Sequence, residues 1–288
     1  MNAEKRNYSI PENLTKGDII RTLRMNTRYP RRTVVLVEGP DDKLFWTKHV
    51  NSNEHTVICI KSYHGLSGLY DLLKKFPNNQ DDPKYKEAHN RIIAIRDKDY
   101  TTLDDPKEYP ERVFAYDYCN LEMMLLHRSE VQEGIRQDYE IADPKERAEI
   151  PMKFMRLIAP FSLLRKKQAL EAKYRNIEFG DAGVMKDCGD AKLPDIVKLF
   201  QIHNLEEEFD SFKSQTDVLL DEELWEITNG HDLYKILGKV TLNQEGNSLG
   251  EKNFRRHVFD LYHFSYFMDT SLYTALKTYQ DAHGLSIV

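Results

Sequence analysis

Cysteine is scarce in this chain: there are three, Cys59, Cys119 and Cys188, an odd number with no Cys-x-x-Cys spacing. That pattern argues against a disulfide framework and against thiolate zinc sites, and fits a reducing cytoplasm. The ten histidines show neither His-x-His nor His-Glu-x-x-His spacing, so the zinc-hydrolase patterns are missing as well. No apolar run approaches the length that crosses a bilayer, and no membrane partner is expected. The first 32 residues are polar and basic without an apolar h-region, so no secretory signal is expected there. A global basic charge is also lacking. With a net charge of −6, any nucleic-acid contact must use local patches. Internal repeats and low-complexity tracts are absent.

What remains is an ordinary globular composition, 40% hydrophobic and 31% charged over 288 residues, enough for one large domain or two modest ones. Short β-branched runs recur in the first half: Thr33–Val37, His55–Ile60, Ile92–Ile95 and Arg112–Tyr116. Between them lie segments of helical period, such as Pro40 onward, where Leu44, Phe45, Trp46 and Val50 would form the buried face. Alternation of this kind predicts an α/β fold with a mostly parallel sheet flanked by helices. From residue 128 the period becomes helical. The expected division is therefore an N-terminal segment over 1–30, an α/β core over 31–127, a helical insertion over 128–225, and C-terminal helices over 226–288 that return to the core.

Two of the strand-like runs end on carboxylates: Thr33-Val-Val-Leu-Val-Glu38-Gly39 and Arg91-Ile-Ile-Ala-Ile-Arg-Asp97-Lys-Asp99. At the carboxyl ends of neighbouring parallel strands, Glu38, Asp97 and Asp99 would converge on one crevice. Carboxylates about 4 Å apart repel by roughly 4 kcal/mol per pair at an effective dielectric near 20, a cost relieved by a proton or a divalent cation. Oxygen ligands of this type suit Mg²⁺, with Mn²⁺ as a substitute. Asp42, four residues after Glu38, is either a further ligand or a first-turn acid favoured by the helix dipole.

Glu-Gly after a first strand and Asp-x-Asp after a third resembles the Toprim domain of topoisomerases, primases and small ribonucleases. The stretch Val37-Glu-Gly-Pro-Asp-Asp-Lys-Leu-Phe-Trp46 is similar to that of the overcoming-lysogenization-defect nucleases. Asp117-Tyr-Cys-Asn120-Leu-Glu122 resembles their later acidic element. Asn229-Gly-His231-Asp-Leu-Tyr-Lys235 resembles a helix start of the Toprim subgroup that supplies the toxic effectors of the PARIS anti-phage defence system.

The resemblance implies a Toprim-like fold and a Mg²⁺-dependent endonuclease. Glu38, Asp42, Asp97, Asp99 and Glu122 would be metal ligands, while Glu38, Asp97, Asp99, Lys235 and His231 would serve catalysis. It further implies a tRNA substrate, an ABC-type ATPase partner and an active homodimer. The helical middle and the lack of a Gly-rich acidic turn after Asp-x-Asp point away from the religation chemistry of topoisomerases.

Several residues carry a second, plainer reading. Glu122, set among Leu121, Met123 and Met124, is either a ligand or a buried acid bridging to an arginine. Lys43 and Lys98 are expected to contact phosphate, or else to face solvent. Residues Met152 to Arg175 hold seven basic side chains, Arg165, Lys166 and Lys167 among them, with Phe154 and Phe161 interleaved. This stretch is either a nucleic-acid-binding stripe with stacking aromatics or an amphipathic helix. Rival functions are DNA cutting, a non-cutting Toprim binding module, and a haloacid-dehalogenase-type phosphatase built on Asp97-Lys-Asp99-Tyr-Thr101. The phosphatase pattern wants its motif on the opening strand and an acid where Met185 stands.

Overall fold

The computed structural model describes residues 33–50, 55–59, 90–98, 111–141, 150–168 and 206–288. In chain order its elements are β1 (Thr33–Val37), α1 (Pro40–His49), β2 (His55–Cys59), β3 (Ile92–Arg96), β4 (Val113–Ala115), α2 (Leu121–His127), α3 (Ser129–Asp138), β5 (Glu140–Ile141) and α4 (Ile150–Gln168). There follow α5 (Glu206–Asp217), α6 (Asp221–Ile227), α7 (Gly230–Val240), β6 (Thr241–Leu242), α8 (Glu251–Leu261), α9 (Phe264–Met268) and α10 (Ser271–His283). The protein is α/β with a helical majority among the described residues. Asp99 lies outside them, as does the stretch where the spacing of Leu69, Leu72, Leu73 and Phe76 predicts a helix.

Every residue of β1 and of β3 is buried, which is why both read as unbroken apolar runs instead of alternating ones. The four long strands form one sheet in the order β2-β1-β3-β4, and each neighbouring pair is parallel. The register of the central pair sets Val35 opposite Ile93 and Leu36 opposite Ala94. The β2 strand is described over His55–Cys59, Ile60 of the expected run lies outside the described residues, and β4 is Val113–Ala115.

Pro40 opens α1 with φ already suited to a helix, and the Asp42 carboxylate accepts the Gly39 N–H at 2.8 Å. Phe45 and Trp46 are buried, but Leu44 is 51% exposed, against the expectation that it joins them. Each helical residue advances by about 100°, so a face holding both aromatics turns the position before them outward.

The described elements fall into two compact units. The first contains β1, α1, β2, β3, β4 and α10. There Phe267 meets Phe45 and Trp46 edge-on at 5.5 and 5.8 Å, and Phe114 meets Tyr279 at 5.5 Å. Tyr279 donates its hydroxyl to the Asn90 carbonyl at 3.0 Å, and Thr33 donates to the Ser286 carbonyl at 3.1 Å. Tyr279 thus serves packing.

The second unit contains α2 to α8, and the chain passes between units within α9. Its α4 packs against α5, α6 and α7, while α7 and α8 pack on each other and on α2. Gly238 makes the α7–α8 approach possible, since a Cβ there would lie 2.6 Å from the Glu251 amide nitrogen. The expected boundary at 127/128 falls inside this unit instead of at its edge. Leu121 to Leu126 are all buried, so α2 needs helices on all sides and groups with them.

Candidate acidic site

The strands β1 and β3 run side by side in the same direction, so their carboxyl ends, Val37 and Arg96, lie at the same edge of the sheet. Glu38 is the next residue after one and Asp97 the next after the other. Asp97 Oδ1 accepts the N–H of Leu121, the first residue of α2, at 3.4 Å. Asp117 follows β4 by two residues and is half-buried.

Among the described residues, no group of three or more His, Cys, Asp or Glu side chains gathers as a metal ion would require. Asp99, the third acid of the expected set, lies outside those residues. The donor chemistry of Glu38, Asp42 and Asp97 is all carboxylate oxygen, which fits a hard cation such as Mg²⁺ or Mn²⁺ and does not fit a soft one. One Asp42 oxygen is engaged by the Gly39 amide, the first-turn role weighed for it.

Glu122 has the arginine that its apolar surroundings call for. Its Oε1 lies 2.7 Å from Arg255 Nη1 and 3.0 Å from His231 Nδ1, with only 4% of its side chain exposed. Arg255 also reaches Glu251 at 2.9 Å and His231 Nδ1 at 3.2 Å, and its guanidinium lies 5.6 Å over the Tyr234 ring. The tautomer decides whether His231 Nδ1 accepts from Arg255 or donates to Glu122. Tyr234 completes the cluster by donating its hydroxyl to the Glu122 carbonyl at 3.0 Å. An arginine for Glu122 follows from its surroundings, but no local signal points to Arg255, 133 residues away.

The Asn229-Gly-His-Asp stretch does start a helix, α7, where Asn229 Oδ1 caps the Asp232 amide at 3.1 Å. A Cβ on Gly230 would overlap Asn120 Oδ1 and sit 2.6 Å from Glu122 Cβ, so glycine lets α7 begin directly on the start of α2. His231 and Lys235 lie on this helix. The His231 side chain is 50% exposed, and Lys235 Nζ is 3.6 Å from Asp232 Oδ1, whose side chain is 4% exposed.

One of the cations expected at phosphate is paired with an acid. Lys98 Nζ holds both oxygens of Glu226, at 3.2 and 3.0 Å. Lys43 lies half-buried on α1. Arg165, Lys166 and Lys167 lie in the last turns of α4, with their side chains outside those described. Within the same helix Arg156 is bound to Asp221 at 2.6 Å. Phe154 and Phe161 are buried, Phe161 against Phe209 at 4.5 Å, so neither can stack on a base as the stripe reading requires. Their seven-residue spacing puts both on one face of α4, the face that Phe161 turns to Phe209 of α5. No helix of the described residues is long and apolar enough to cross a membrane.

Comparison with protein-family models and with curated proteins gives no match to this chain.

Proposed function

We propose that this chain is a Toprim-type, Mg²⁺-dependent endonuclease that hydrolyses nucleic-acid phosphodiesters. One observation carries the reading: the two central, adjacent, parallel strands each run directly into an acid, Glu38 and Asp97. Acids so placed are where an open α/β sheet assembles its chemistry. Glu38, Asp97 and Asp99 would hold the cation, which when bound activates water and stabilises the leaving oxygen of a phosphodiester.

The chain's own groups supply the rest. The Leu121 amide steadies the Asp97 carboxylate, and the Lys98–Glu226 pair holds the residue next to it. Lys235 and the half-exposed His231 are the groups on α7 suited to contact a phosphate or its leaving oxygen. RNA as substrate, tRNA in particular, control by an ABC-type ATPase and an active homodimer follow from the resemblance to the PARIS effectors.

The test incubates purified full-length protein with tRNA and with plasmid DNA in Mg²⁺, Mn²⁺ or EDTA. Cleavage of tRNA in either metal and none in EDTA is expected. Glu38→Ala and Asp97→Asn should abolish cleavage with melting temperatures close to the parent's. Full activity in either variant, or activity in EDTA, overturns the assignment. Cutting of plasmid alone would move the substrate to DNA.

A further inference from the structure

Tyr118 has φ +64°, a left-handed conformation that a bulky residue rarely adopts. Strain of this kind persists where surrounding structure enforces it, and it often marks a working site. What it achieves here is the placement of an aromatic ring. The Tyr118 ring stacks on His127 at 4.1 Å and 24°, and His127 stands edge-on to Trp225 at 5.0 Å and 80°. Tyr118 Oη lies 3.0 Å from His127 Nδ1, while His127 Nε2 lies 3.3 Å from Glu222 Oε2. With Nε2–H donating to Glu222, Nδ1 accepts from the phenol, and the imidazole is held from both sides. Trp225, 5% exposed, is the buried footing of the stack, and Tyr118 and His127 are its half-exposed upper steps.

Two independent tethers set this ledge beside Asp97. Along the chain, Tyr118 is three residues from Leu121, whose amide binds Asp97, a reach of about 11 Å at most. Through space, Lys98, next to Asp97, grips Glu226, next to Trp225, and the Trp225 carbonyl accepts the Cys119 N–H at 3.1 Å. Burial, together with Glu222, Asp117 and Glu226, pushes the phenol up to about 12, so the ring stays uncharged at any working pH.

We propose that the Tyr118–His127 ledge is a stacking platform for an unpaired nucleobase beside Asp97, so that the substrate must present a single-stranded or looped-out nucleotide. The proposal rests on the nuclease reading above. A flat, neutral, pre-positioned ring suits the face of any base and reads no sequence. Bases in a continuous duplex keep their faces covered by their neighbours, which selects for loops, bulges and single strands.

The test uses the full chain in EDTA, so that binding is separated from cleavage. Short single-stranded RNA and DNA carrying 2-aminopurine are titrated by fluorescence quenching, with matched duplexes beside them. The parent should quench the unpaired probes and bind them more tightly than duplex. Tyr118→Phe should keep that affinity to within about twofold, and Tyr118→Ala should lose about 5- to 150-fold, the range of one lost base stack. Tyr118→Gly relieves the backbone and should melt no lower than Tyr118→Ala, which provides a folded ring-less variant if alanine does not fold. Unchanged binding in the ring-less variants, or a preference for duplex in the parent, overturns the proposal. Cleavage by the parent together with unchanged binding in Tyr118→Ala removes the ledge and leaves the nuclease. Lost binding in Tyr118→Ala with no cleavage by the parent in any metal removes the nuclease and leaves the ledge.

Discussion

Single residues in this protein show how one carboxylate differs from another by what surrounds it. Glu38 and Asp97 stand at strand ends, while Glu122 sits inside an apolar helix and is bound to Arg255 at 2.7 Å. A buried acid deprived of its cation is costly, because its charge keeps the desolvation and loses the attraction. Arg255→Leu is therefore expected to destabilise the protein by roughly 3 kcal/mol. Glu122→Gln, which removes the charge and keeps the shape, should cost less, and the double variant less than the sum of the two. Urea titrations of the three variants check this. A loss within about 0.5 kcal/mol for Arg255→Leu would show a pair dominated by solvent. That Glu122 needed a partner was legible from Leu121, Met123 and Met124 around it. That Arg255 is the partner was not, since a distant pairing leaves no periodic trace in the chain.

At the level of elements, local chemistry sets where helices begin, and close approach sets how they meet. Asn120 accepts the Met123 amide at 3.2 Å and Asn229 accepts the Asp232 amide at 3.1 Å, so α2 and α7 are each capped from their own sequence. The two starts touch only because residue 230 has no Cβ. Alanine is the better helix former by about 1 kcal/mol, so propensity alone predicts that Gly230→Ala stabilises. The geometry predicts the opposite sign. The new methyl meets the capping oxygen of Asn120 and a Glu122 Cβ fixed to helix backbone, and the expected net loss is about 1–3 kcal/mol. A rise in melting temperature on Gly230→Ala would refute this packing argument. The helix start was visible in Asn229-Gly-His-Asp, but its seat on α2 was not.

At the level of the whole molecule, two units with separate cores carry separate titrating groups. Burial drives the His257 imidazole below its ordinary 6.5, against the opposing pull of Asp138, 3.1 Å away, and of Asp260. The unfolded chain then takes up a proton near 6.5 that the folded one resists, so stability should decline as pH falls below that value. In the other unit, burial raises the Tyr279 phenol from 10 to about 12. There the folded state holds its proton longer than the unfolded one, and stability should fall as pH rises from 10 through 12. Denaturation midpoints across pH should therefore bend at both ends. His257→Gln should flatten the acid limb, Tyr279→Phe should make the alkaline limb shallower with Tyr118 supplying the remainder, and an unchanged profile in either variant would deny that group its role.

The sequence by itself determined the α/β class, the strands that read as β-branched runs, and the acids that end two of them. It could do so because strand burial and helix capping act over a few neighbouring residues. Tertiary structure alone decided that α2 belongs with the helices, that Phe154 and Phe161 are core, and that Lys98 is bound to Glu226. It alone decided the backbone of Tyr118 as well. Each of these depends on contacts between segments far apart in the chain, where burial and charge pairing follow the partner and the residue's own type says little.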